Sequence, residues 1–132
     1  MTKALRLRAG LSAMDITPPV GYRLHGHVAR KEPSDGVHDP LRLKVLTLFD
    51  GRTRLAIVTA DLIGFSAASV SAVRKRVRER LGLRGDHILL TASHTHTGPC
   101  MTATSTLMPP EHILPKYIGF VENKIVGGIR EA

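Results

Sequence analysis

The chain has little with which to build a braced or aromatic interior: one cysteine, no tryptophan and 4% aromatic residues in 132. Cys100 alone cannot close an internal disulfide, which suits a reducing compartment and excludes the disulfide-braced scaffolds. With so few rings, Leu, Ile, Val and Ala must fill the core. No apolar run approaches the roughly 20 residues that span a bilayer. The opening Met1-Thr2-Lys3-Ala4-Leu5-Arg6-Leu7-Arg8 lacks the continuous apolar stretch of a signal peptide. A cytoplasmic protein is the expectation, with secretion left open through a processed N-terminus. Acidic residues are also scarce, 11 against 19 Lys and Arg, giving a formal net charge of +8. That excess raises a binder of nucleic acid or an anionic surface. The densest basic run, Arg74-Lys75-Arg76 with Arg78 and Arg80, is interleaved with Val70, Val73, Val77 and Leu81 at helical spacing. These cations form the solvated side of an amphipathic helix. Neither a nucleic-acid motif nor an aromatic stacking pair accompanies them.

What is present is a composition of 42% hydrophobic and 23% charged residues, enough for one compact domain and too short for two. Leu5, Leu7 and Ala9 alternate with Arg6 and Arg8, which predicts a half-buried first strand ending near Gly10. Asp15-Ile16-Thr17-Pro18-Pro19 makes a rigid extended turn, in which Asp15 bonds backbone amides. Residues 20–40 read as loop. Leu41–Phe49 and Leu55–Ala60 read as strands joined by an Asp50-Gly51 turn. A helix follows over about 67–81, capped by Ser66 or Ser69 and stopped by Gly82. The apolar run at 87–92 is the next strand, residues 97–114 are loop, and Pro115 opens a helix whose Ile118, Val121, Ile125 and Ile129 share one side. The fold class is therefore α/β: a mixed sheet with a βαβ unit over 55–92 and flanking helices.

The strongest chemical signal is Thr91-Ala92-Ser93-His94-Thr95-His96-Thr97-Gly98-Pro99-Cys100. Two imidazoles two positions apart in an extended segment point to the same side of the backbone. They would stand at the carboxyl end of a parallel strand, where open α/β sheets place their ligands. Neutral imidazole suits zinc and similar ions. A catalytic zinc site takes about three protein ligands, and Asp61, His25, His27, His38 and Asp39 are candidates for the third; no spacing singles one out. Asp61 either orients His94 or His96 or caps the turn after its strand. His25-Gly26-His27 either faces the cleft or is ordinary exposed loop, and His38-Asp39 either position one another or serve structure alone. Cys100 shows no histidine partner of nucleophilic spacing. Met101, Leu107, Met108 and Ile113 either form an apolar lip for an acyl chain or pack beneath the loop.

Several segments resemble the neutral/alkaline (non-lysosomal) ceramidase family. Gly10 to Pro19 is similar to that family's opening, and Val37-His38-Asp39-Pro40-Leu41 and Thr59-Ala60-Asp61-Leu62 occur in the same order. Ala92 to Pro99 is similar to its Thr-His-Thr-His-Ser-Gly-Pro segment, with Ser93 in place of Thr and Thr97 in place of Ser. The pattern covers residues from about 8 to 130. The resemblance implies a zinc-dependent amidohydrolase that cleaves an N-acyl amide such as N-acylsphingosine into fatty acid and amine. It implies His94 as a ligand of Zn2+, and His96 beside the metal as the catalytic group that hydrogen-bonds substrate or the developing oxyanion. The family's other ligands, a second His, a Glu and a Tyr, lie downstream of position 132, and its members are several times longer. Residues 1–132 are thus expected to be the N-terminal portion of a larger ceramidase-like catalytic domain, inactive alone, with a partner chain or missing part completing it. The expected partner is a ceramide-like acyl amide, with no nucleic acid and no transmembrane segment. A non-catalytic relic or interaction module is the alternative.

Overall fold

The computed structural model describes residues 6–27, 29–101 and 114–132. Four strands form one sheet in the order β1 (Arg8–Asp15), β2 (Arg42–Phe49), β3 (Arg54–Ala60) and β4 (Ile88–Ala92). β1–β2 and β2–β3 pair antiparallel, and β3–β4 pair parallel. The crossover from β3 to β4 carries α1 (Ala67–Leu81) and a short 3-10 turn at Gly85–His87, and α2 (Pro115–Glu131) closes the described chain. The mixed α/β sheet with its βαβ unit matches the expectation. Among the described residues, no helix is long and apolar enough to cross a membrane.

Local chemistry accounts for the joints. Asp50 Oδ1 accepts from the amides of Arg52 and Thr53 at 2.8 and 2.7 Å, which folds the β2–β3 turn. Of the two candidate caps for α1, Ser66 is the one used: its hydroxyl accepts from the Ser69 amide at 3.0 Å. Gly82 ends the same helix, its amide reaching back to Arg78 O.

Both helices lie on one side of the sheet. Leu43, Val45, Ala56, Val58 and Ile88 point into that layer, where Val73, Val77, Val121 and Ile125 meet them. α2 crosses β1 and β2 closely because Gly128 has no side chain. A Cβ there would stand 2.9 Å from Val45 Cγ2, and the Gly128 carbonyl accepts from Ser12 Oγ at 2.9 Å. The buried Tyr117 hydroxyl donates to Ile16 O at 2.7 Å, pinning the first turn of α2 to the segment after β1. Glu122, 6% exposed, is held by Arg76 of α1 at 3.3 Å, so one cation of the basic run serves the interior.

β1 departs from expectation. Leu5 lies outside the described residues, and the strand runs from Arg8 to Asp15 rather than stopping near Gly10. Its inward residues are Gly10, Ser12 and Met14, while Leu7 and Leu11 are 67% and 78% exposed. The cause is α2: where helix backbone comes this near, only small or flexible side chains fit beneath it. The apolar half of the alternation therefore faces away from the helices.

Candidate functional site

β3 and β4 are parallel, so their carboxyl ends open at the same edge of the sheet. β4 ends at Ala92, and the histidine segment follows it as irregular chain rather than extended strand. The two-residue alternation of a strand therefore does not apply to His94 and His96. They meet by another route. His94 takes φ +61°, the one non-glycine residue with positive φ among those described. That left-handed turn folds the backbone so that the two rings lie 5.2 Å apart at 63°. Left-handed backbone in a residue with a Cβ carries strain, which persists where surrounding structure enforces it.

The enforcing contact is a hydrogen bond. His94 Nδ1 lies 2.8 Å from the carbonyl oxygen of Ile63, in the segment after β3. A carbonyl only accepts, so Nδ1 carries the proton and the neutral ring keeps its lone pair on Nε2. His94 is exposed. An imidazole fixed in this way through one nitrogen, with the lone pair left on the other, has the arrangement commonly seen in metal-bound histidines.

His96 is half-buried and is held from a different quarter. The Arg30 guanidinium donates to its carbonyl at 2.9 Å. The ring of His27 stands edge-on to the His96 ring at 5.2 Å and 76°. Gly26, at φ +110°, lies so near that a Cβ would overlap Cβ, Cγ and Cδ2 of His96. Here glycine is needed twice over, for the dihedral and for the approach. His25 donates its amide to Gly98 O at 2.8 Å, and Leu24 bridges to Pro99, so the 24–30 and 94–99 segments are laced together. His25 is 9% exposed, and burial, then the nearby His96 and His94, push its pKa below the usual imidazole range. His25 is thus buried rather than exposed loop, whereas His27 is exposed as a loop histidine would be, with its ring edge-on to that of His96.

The remaining candidates fall elsewhere. Asp61 closes the β2–β3 ladder: its Oδ2 accepts from the Arg42 amide at 2.9 Å, and its own amide donates to Arg42 O at 2.9 Å. The partner of His94 is the Ile63 carbonyl, not Asp61. His38 and Asp39 pair with each other at 2.7 Å, almost fully exposed. Thr17, Pro18, Leu24, His38, Leu41 and Thr97 help line a cavity of about 360 Å³ beside the histidine segment. Asp15 makes the expected turn, Oδ1 accepting from the Thr17 amide at 2.8 Å; hydrogen bonding to Thr17 holds its carboxyl below the usual range. Cys100 and Met101 are wholly buried, so Met101 packs rather than lining a lip. Leu107, Met108 and Ile113 lie outside the described residues. Among the described residues, no three His, Cys, Asp or Glu side chains converge to hold a metal ion. The donor chemistry fits zinc at His94 as one ligand of a set, not as a complete shell.

No protein-family model matches the chain. Solved structures that share its fold include two ceramidases. The neutral ceramidase from Pseudomonas aeruginosa superposes with TM-score 0.79 at 24% identity, over 98% of this chain and 22% of that one. A ceramidase complexed with C2 gives TM-score 0.76 at 25% identity, over 97% of this chain and 21% of that one. The chain spans about a fifth of the length of either structure, and it has the fold of one part of a larger ceramidase domain.

Proposed function

We propose that this chain is a portion of a zinc-dependent amidohydrolase of neutral ceramidase type, which hydrolyses an N-acyl amide such as N-acylsphingosine to a fatty acid and an amine. The observation that carries the reading is His94. Its Nδ1 proton is committed to Ile63 O, which leaves the lone pair on Nε2, and the residue is exposed just past the carboxyl edge of parallel strands. The shared fold with neutral ceramidase supports the same reading.

In this reading His94 holds the metal through Nε2, and the Ile63 carbonyl fixes the ring that does so. A bound zinc ion would supply Lewis-acid chemistry to the amide carbonyl. His96, 5.2 Å from His94 ring to ring, hydrogen-bonds the substrate oxygen or the negative charge that develops on it. Arg30 and Gly26 keep His96 in place, through its carbonyl and against its ring. The other metal donors come from polypeptide outside these residues, so the chain alone binds zinc weakly and hydrolyses nothing.

The test is metal content. Equilibrium dialysis against zinc in large excess should load about one weakly held ion per chain. His94→Ala should abolish that uptake, whereas His38→Ala, at the exposed His38–Asp39 pair, should leave it intact. A wild-type chain that stays metal-free, or uptake indifferent to His94→Ala, overturns the assignment. One observation favours a second reading, a non-catalytic relic or interaction module: no three-donor set exists among the described residues. Such a protein would take up no zinc and would show no amidase activity under any complementation.

A further inference from the structure

The described residues between Gly21 and Ser34 form a strap tied at its neck. The Gly21 amide donates to Ser34 O and the Ser34 amide donates to Tyr22 O, both at 2.9 Å. Arg23 reaches across to the Lys31 carbonyl, and the Arg30 amide donates to His27 O at 3.1 Å, which braces the interior. Surface loops closed at the neck in this way behave as compact units and are often functional. The neck meets α2 through the Tyr22 and Tyr117 rings, 6.2 Å apart. Gly21, at φ +98°, and Gly36 flank it, and a Cβ on either would meet nothing within 4 Å. The chain therefore has room to turn on both sides of the neck.

The far end of the strap covers His96, and what holds it down is polar. Arg30 donates to His96 O at 2.9 Å and the His25 amide donates to Gly98 O at 2.8 Å, while Gly26 lies on the His96 ring. Among the described residues from 19 to 40, His25 alone is buried, and none belongs to the apolar core. A segment fixed by a few hydrogen bonds and little apolar burial opens at a free energy well below that of global unfolding.

We propose that this strap opens and closes as one unit over His96, turning about its neck, with the Arg30–His96 hydrogen bond as its latch. Opening uncovers the His96 ring and joins it to the cavity of about 360 Å³, whose walls include Leu24 and Ser34 of the strap and Thr17, Leu41 and Thr97 opposite. The contacts that shut the strap lie within residues 21–99, so they are present whatever polypeptide completes the domain. That the opening admits an acyl amide rests on the amidohydrolase reading; the motion itself does not.

Amide exchange by nuclear magnetic resonance, in the full chain, tests the motion. If the strap lifts with its neck closed, the His25 amide should show at least about tenfold less protection than the Ser34 amide. Arg30→Gln should lower His25 protection about tenfold further and leave that of Ser34 unchanged; Arg30→Lys, which keeps a charged donor, should recover most of the loss. Diethyl pyrocarbonate, located on each histidine by mass spectrometry, reads access to the ring. His94 should react at the same rate in wild type and Arg30→Gln, whereas His96 should react about tenfold faster in the variant. Equal protection of His25 and Ser34 in the wild type, or His96 reactivity indifferent to Arg30→Gln, overturns the proposal. So does a loss of protection in Arg30→Gln that spreads to Ser34 and to the sheet, since that is unfolding rather than unlatching. Zinc uptake, measured separately, reports on the amidohydrolase reading and not on the strap.

Discussion

Gly26→Ala puts the lacing of the site to a quantitative test. At φ +110° an L-residue carries a left-handed penalty of about 1–3 kcal/mol. The new methyl also overlaps the Cβ, Cγ and Cδ2 atoms of His96, and Cβ cannot swing away because the backbone fixes it. Relief requires one of the two segments to shift, an overpacking cost of about 1–3 kcal/mol. The sum, about 4 kcal/mol, is a large share of the stability of a domain this size and corresponds to roughly 15 °C in melting temperature. A double-mutant cycle separates the two parts. His96→Gly removes all three overlapped atoms, so Gly26→Ala in that background should cost only the dihedral part. The coupling energy, from urea unfolding of the four proteins, should be about 1–3 kcal/mol in favour of the double variant. Additivity within about 0.5 kcal/mol would refute the claim that the 24–30 segment bears on the His96 ring.

Tyr117→Phe strips the Ile16 carbonyl of its buried donor and should cost about 1–3 kcal/mol, read as a lowered urea midpoint with an unchanged slope. Burial raises the Tyr117 pKa above its ordinary value of 10.0. Its contribution is therefore complete below that pH and is lost as pH rises through it, because only the unfolded chain ionises easily. Wild-type stability should fall more steeply above about pH 10 than that of Tyr117→Phe, measured by denaturant titration across that range. Ser66→Ala removes the α1 cap and should lower stability by about 1 kcal/mol, visible as a drop in melting temperature with the far-ultraviolet spectrum retained. Gly128→Ala forces α2 away from Val45 and should cost about 1–3 kcal/mol; Ser12→Ala, which removes only a hydrogen bond, should cost less.

Much of the fold was legible because its signals are local. The Asp50-Gly51 turn, the serine before α1, Gly82 after it and Pro115 at the head of α2 each act within a few residues. β1 was misread because alternation reveals that a strand has two sides and not which one meets a helix. Gly128, more than a hundred residues away, decides that. The site was legible in the same uneven way. His94 and His96 stood out as a pair, but the geometry that joins them is a left-handed turn enforced from Ile63, not the pleat of a strand. His25 and His27 were indistinguishable from exposed loop residues. The one local hint was the glycine between them, and its reason is the His96 ring.

By itself the sequence determined the elements, their order, the parallel βαβ crossover and the place where imidazole chemistry collects. These follow from spacing, capping and turn residues, whose energies are settled between near neighbours. Only the tertiary structure decided which side of the sheet is covered, which loop clasps His96, and that Asp61 serves the ladder while a backbone carbonyl serves His94. Those outcomes depend on groups far apart in the chain competing for the same space and the same hydrogen bonds. No local pattern records that competition.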